Sequence, residues 1–176
     1  MKLIVEKNYD DISKMAAKII SDKILANPNI VLGLATGSTP IGAYKELIRM
    51  YKDGFLDFSN VTSFNLDEYV GLDGNSPYSY RYFMNENLFN HINIKREKTF
   101  VPNGKTDNME DFCKNYDKKI EEAGGIDIQI LGIGENGHIA FIEPDSSLPV
   151  NTSIVDLTED TINVNSRFFD SVNELE

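Results

Sequence analysis

Cysteine is almost missing from this chain. The single Cys113 in 176 residues excludes an intrachain disulfide framework. With only two histidines at no short ligand spacing, no zinc pattern forms either, and no metal is expected. Apolar runs are short: none approaches the roughly 18 residues of a membrane span. The opening MKLIVEKNYDD has neither the apolar core nor the small-residue cleavage site of a signal peptide. A cytoplasmic protein with no membrane partner is expected. Basic residues are scarce as well. The 17 Lys and Arg against 28 Asp and Glu leave a net charge of −11, which repels polyanions and argues against nucleic acid as a partner. A small anionic ligand is still allowed, because a few local donors outweigh a distant net charge that salt screens. No internal repeat, low-complexity tract or Pro/Ser-rich linker divides residues 1–176, so one domain is expected.

What is present is an alternation of periodicities. Residues 9–26 place Ile12, Met15, Ala16, Ile19, Ile20 and Ile24 on one helical face, with Asn8 as the cap and Asp10 and Asp11 in the first turn. Residues 30–35 form a continuous apolar run, the pattern of a strand buried on both faces. Pro40 then reads as a first helical residue before the stripe Ile41, Tyr44, Leu47, Ile48 and Tyr51. A strand over 61–66 and a helix over 77–90 follow, with Tyr80, Phe83, Met84 and Leu88 inward. A short strand over 99–101 precedes a helix that Asp107 and Glu110 open as a capping box and Gly124–Gly125 close. Residues 127–133 read as a last strand. Such alternation predicts an α/β fold: an open, mostly parallel, Rossmann-like three-layer sheet with helices on both faces.

In open sheets of this kind ligands bind beyond the carboxyl ends of the strands, and three such ends carry candidate chemistry. The first is Thr36-Gly37-Ser38-Thr39-Pro40, whose glycine, hydroxyls and following helix start suit a phosphate; Thr39 as a helix cap and Gly37 as a turn are the plainer alternative. The second is Asp67-Glu68, one of which can face a ligand as a base, or which together form a solvated acidic loop. The third is GIGENGH over 132–138. Its first six residues match the G-x-G-x-x-G dinucleotide fingerprint, but Pro144 comes too early for the helix that fingerprint must open, so no dinucleotide is expected. The loop offers instead His138, with Asn136 before it and Glu143 after it, a side chain suited to moving protons near neutral pH. His91 reads as a surface residue, and the chain contains no G-x-S-x-G nucleophile elbow.

Four motifs in order, TGSTP, FNLDEYVGL, LGIGENGHIAF-x-EP and NSRFF, resemble the glucosamine-6-phosphate deaminase (isomerase) family over residues 32–169. The family's wider relatives include 6-phosphogluconolactonase-like hydrolases and sugar-phosphate-sensing domains. The resemblance implies conversion of an amino-sugar phosphate to a keto-sugar phosphate and ammonia, with no cofactor. It implies His138 as the ring-opening base supported by Asn136 and Glu143, and Asp67 as the base of the enolisation. Thr36, Gly37, Ser38 and Thr39 are implied as the phosphate cradle, closed by Arg167 as a bidentate clamp. The epimer stays open, since galactosamine 6-phosphate or a lactone is an alternative substrate, and a homo-oligomer is permitted. A non-catalytic sensor is the reading from another class; it has no need of Asp67 and His138 together, and no basic helix-turn-helix pattern precedes Leu3.

The sequence also departs from the family pattern. Ile142 stands where an asparagine is usual, and Asn151 where an arginine is usual. Ser153 and Val155 replace basic residues of effector-regulated members, which predicts weak or absent activation by an N-acetylated sugar phosphate. The chain stops at Glu176, before the further strands, helices and phosphate-reaching lysine that the resemblance implies. The C-terminal part of the fold is thus expected to be missing, and this chain alone is expected to be weak or inactive.

Overall fold

The computed structural model describes residues 1–134, 136–145 and 149–157. The elements are α1 (Tyr9–Ala26), β1 (Val31–Leu34), α2 (Ile41–Lys52), β2 (Thr62–Asn65), α3 (Tyr80–Asn87), β3 (Thr99–Phe100), α4 (Met109–Glu122) and β4 (Ile128–Gln129). The strands form one parallel four-stranded sheet in the order β3-β2-β1-β4. Parallel strands require crossovers, and the helices that supply them cover both faces. On one face Ala17, Ile20 and Ile24 of α1, Tyr44 and Leu47 of α2, and Met84 of α3 pack over Leu32 and Leu34. On the other, Tyr116 of α4 closes on Val31 and Phe64, with the Phe64 and Phe100 rings stacked at 4.8 Å. The α/β reading therefore holds, and the carboxyl ends of β1, β2 and β4 open on the same side of the sheet.

Local details differ from the sequence expectations for identifiable reasons. In α1 the buried stripe is Ser13, Ala17, Ile20, Ser21 and Ile24, while Ile12 and Ile19 lie at the exposed edge. The expected cap is present: the Asn8 side chain accepts from Asp11 N–H at 2.9 Å. Pro40 occupies the position before α2 instead of its first turn. Helix α3 starts at Tyr80 and not at 77, because the Ser79 hydroxyl accepts from Tyr82 N–H and fixes the cap there. The Asp107–Glu110 capping box is absent; Asn108 caps α4 by accepting from Asp111 N–H at 3.1 Å. Strand β4 spans two residues where 127–133 was expected. Leu131 and Ile133 beyond it are 50% and 76% exposed, with no strand on that side among the described residues to pair them.

Candidate active site

At the end of β1 the chain turns through Gly37, whose φ is +94°, before α2 begins. Ser38 and Thr39 are exposed, and neither hydroxyl caps the helix, so the cap alternative for Thr39 does not hold. Thr36 is half-buried, and its side chain lies beside the Tyr80 phenol. Helix geometry leaves the first N–H groups of α2 without intrahelical partners, and of these Gly42 N–H is taken up by the Tyr9 hydroxyl at 2.8 Å.

At the end of β2 the two adjacent carboxylates have different fates. Glu68 turns into the protein and accepts backbone N–H from Tyr69 at 3.0 Å, Tyr80 at 2.9 Å and Arg81 at 3.0 Å, so it caps α3 from a distant part of the chain. Burial pushes its carboxyl above the usual range, and those bonds offset part of the rise. Asp67 lines the cleft that opens against Tyr69 and Phe141. No donor among the described residues bonds its carboxyl, and burial, followed by the neighbouring Glu68 charge, pushes it up to about 7. Both residues of the pair are half-buried, and the bonds of Glu68 to α3 set it apart from a freely solvated loop carboxylate.

Beyond β4 the glycine-rich loop opens no helix. Gly137 N–H returns to Gly134 C=O, and the chain then folds into a tight turn in which Ile139 and Ile142 exchange backbone bonds at 3.1 and 3.0 Å. Ala140 takes φ +55° at its tip. This turn brings Glu143 back beside Asn136, whose Nδ2 donates to Glu143 Oε2 at 2.7 Å. Asn136 Oδ1 accepts from His138 N–H at 3.2 Å and lies 2.7 Å from His138 Nδ1. A carboxylate only accepts and a backbone N–H only donates, so the amide has one consistent orientation. The imidazole must then carry its proton on Nδ1, leaving Nε2 as the basic nitrogen. The ring lies over Gly134, where any Cβ would collide with it.

Three aromatic side chains that the sequence reading left outside the site join these loops. Tyr69 lies 5.0 Å from Tyr80 and 4.9 Å from Phe141, with Tyr80 and Phe141 at 5.8 Å. Tyr80 also donates to the Tyr69 hydroxyl at 3.3 Å. Through Tyr80 the cluster reaches Thr36, through Tyr69 the Asp67 loop, and through Phe141 the His138 loop. The only signal for it in the sequence is that Tyr69 and Phe141 fall inside two of the motifs; Tyr80 read simply as core. A cleft of about 910 Å³ opens against Asp67, Tyr69, Phe141, Ile142 and Glu143. Arg167, the expected clamp, lies outside the described residues. Among the described residues no three His, Cys, Asp or Glu side chains group as metal ligands, and no helix is long and apolar enough to cross a membrane.

The sequence and the fold both have known relatives. Residues 5–163 match the family model of glucosamine-6-phosphate isomerases/6-phosphogluconolactonase. The chain is 61% identical to a glucosamine-6-phosphate deaminase of Clostridium perfringens (strain 13 / Type A), over 99% of this chain and 72% of the relative. It is 58% identical to one of Thermoanaerobacter sp. (strain X514), over 99% and 69%. The solved structure of a monomeric glucosamine-6-phosphate deaminase superposes with a TM-score of 0.96 at 44% identity, covering 99% of this chain and 73% of that one. From its motifs, its sheet and these likenesses together, the chain belongs to the glucosamine-6-phosphate isomerase/6-phosphogluconolactonase family and groups with the deaminases within it.

Proposed function

We propose that this chain converts glucosamine 6-phosphate and water to fructose 6-phosphate and ammonia, in the breakdown of amino sugars. One observation carries the reading. A base with a fixed tautomer, His138, stands on the loop after β4, and a carboxyl that no described residue bonds, Asp67, on the loop after β2, and the two loops meet where Tyr69 and Phe141 lie 4.9 Å apart. His138 Nε2 takes the anomeric hydroxyl proton and returns one to the ring oxygen, which opens the pyranose. The growing imidazolium charge is held through Asn136 by Glu143. Asp67 then takes the proton from C2 of the open aldehyde and delivers one to C1. A carboxyl near 7 is present in both protonation states at neutral pH, which suits a group that must accept and return a proton. The resulting C2 imine adds water, and ammonia leaves. The 36–39 loop and the start of α2 receive the phosphate, with Arg167 as its clamp by motif position.

Ile142 lines the cleft, so the epimer at the sugar is the point where a second reading, galactosamine 6-phosphate, bears on the same machinery. The half-buried lone Cys113 suits a cytoplasmic setting, and every proposed group comes from one chain, so the reading needs no homo-oligomer. Incubating this chain, and a form lengthened to match its relatives, with either sugar should give ammonia and fructose 6-phosphate in equal amounts from glucosamine 6-phosphate. The lengthened form should be faster. Tight sugar-phosphate binding without product from either form would make the protein a sensor instead.

A further inference from the structure

The phosphate loop is held from outside by two phenols, and one of them belongs to an element that the mechanism does not use. Tyr44 of α2 is fully buried; its hydroxyl donates to Ala35 C=O at 2.5 Å and accepts from Ala35 N–H at 3.2 Å, which fixes the point where β1 leaves the sheet. Tyr9, the first residue of α1, reaches across to the far end of the same loop. Its hydroxyl accepts from Gly42 N–H at 2.8 Å and directs its own proton to Ser38 C=O and Thr39 C=O, each at 3.0 Å. Gly42 is what allows this approach: a side chain there would meet the Tyr9 ring and Ser13.

We infer that Tyr9 is a positioning residue for the sugar phosphate, setting the 36–40 loop so that it presents donors and not carbonyl oxygens to the anion; this rests on the phosphate-loop reading above. The reason is peptide geometry. In a planar trans peptide the C=O and the following N–H point in opposite directions. Drawing the Ser38 carbonyl onto Tyr9 therefore turns Thr39 N–H the other way, toward the open side of the loop. The Thr39 carbonyl, which precedes Pro40 and has no N–H behind it, would only repel an anion, and Tyr9 holds that oxygen away as well. Thr39 N–H finds no acceptor among the described residues, and neither does Ile41 N–H at the first position of α2. Gly42 N–H, one residue further in, is already satisfied by Tyr9. An anion thus meets a short, pre-set group of donors, with their orientation fixed before binding.

Tyr9 is 47% exposed and contributes little to the core, so its hydroxyl can be removed without emptying a packed site. In Tyr9→Phe the KM for glucosamine 6-phosphate should rise about fivefold, and the Kd for fructose 6-phosphate and for inorganic phosphate by a similar factor, as expected for one lost hydrogen bond. The kcat should stay within about twofold, because His138 and Asp67 lie on other loops. Tyr82→Phe, at a half-exposed phenol outside the loop, should leave all of these unchanged. A folded Tyr9→Phe protein with wild-type KM and wild-type phosphate Kd would overturn the inference while leaving the phosphate loop standing, as would a lowered melting temperature with no change in either constant. A wild-type protein that binds neither fructose 6-phosphate nor phosphate would overturn both.

Discussion

Asn136 Oδ1 lies 2.7 Å from His138 Nδ1 while the other end of the same amide is bonded to Glu143. The asparagine is therefore a polarised bridge between an acid and an imidazole, and the identity of the basic nitrogen follows from it.

Replacing Asn136 with Leu keeps the side-chain size and removes both bonds. The imidazole is then free to protonate on either nitrogen and to rotate off Gly134. A fall in kcat of at least about a hundredfold is expected, the lower end of what a placed acid–base group contributes, with sugar-phosphate binding within about threefold. Steady-state kinetics beside a binding titration separate the two. An unchanged kcat would remove the relay from the mechanism.

Gly134→Ala tests the seat of the ring. The added methyl would occupy the volume of the His138 imidazole, and the ring is the softer of the two partners because it ends a side chain on a loop. The expected outcome is a folded protein with reduced kcat and a melting temperature near wild type. Full activity would mean that His138 works from another position.

Glu68→Ala should act on stability. It strips α3 of the two acceptor contacts at Tyr80 and Arg81 N–H, and the loop of a third at Tyr69 N–H; the loss of a helix cap costs about 0.5–2 kcal/mol. Urea denaturation should show a lowered midpoint and a loss of unfolding free energy in that range. Because the same loop carries Asp67, activity should fall in parallel.

Asp67 makes a pH prediction in two parts. Its folded pKa, about 7, is raised above the ordinary carboxyl range, so the neutral form is the one the fold favours. The stability this group contributes is then fully present below the ordinary value near 4 and is lost as pH rises through 7. Asp67→Asn should accordingly raise the melting temperature at pH 8 and leave it unchanged at pH 4. Activity runs the opposite way: the base form is needed, so kcat/KM should fall as pH drops below about 7. An acid limb near 4, unaltered by changes around Asp67, would assign the proton transfer elsewhere.

Much of this was legible in the sequence, but unevenly. The run at 30–35 and the helical stripe of α2 gave the sheet and its covering layer because continuous and 3.6-residue periodicities translate directly into burial. Pro144 was enough to show that GIGENG opens no helix, which the Ile139–Ile142 turn bears out. Cap positions were less readable, since at 107–110 two neighbouring residues could each serve and only the backbone chose Asn108. The division of labour between Asp67 and Glu68 was not readable at all: it depends on three N–H groups, two of which come from residues 80 and 81, brought there by the chain's return. For the same reason the aromatic cluster of Tyr69, Tyr80 and Phe141 escaped detection, being formed by residues up to 72 positions apart.

The central claim is that Asp67 moves the C2 proton. The direct measurement follows the C2 proton of glucosamine 6-phosphate by proton NMR, with ammonia assayed in the same sample, for wild type and for Asp67→Asn. Wild type should lose the C2 signal as ammonia and fructose 6-phosphate appear in equal amounts, while Asp67→Asn, still binding fructose 6-phosphate, should do neither. Loss of the C2 proton at the wild-type rate in Asp67→Asn would contradict the account.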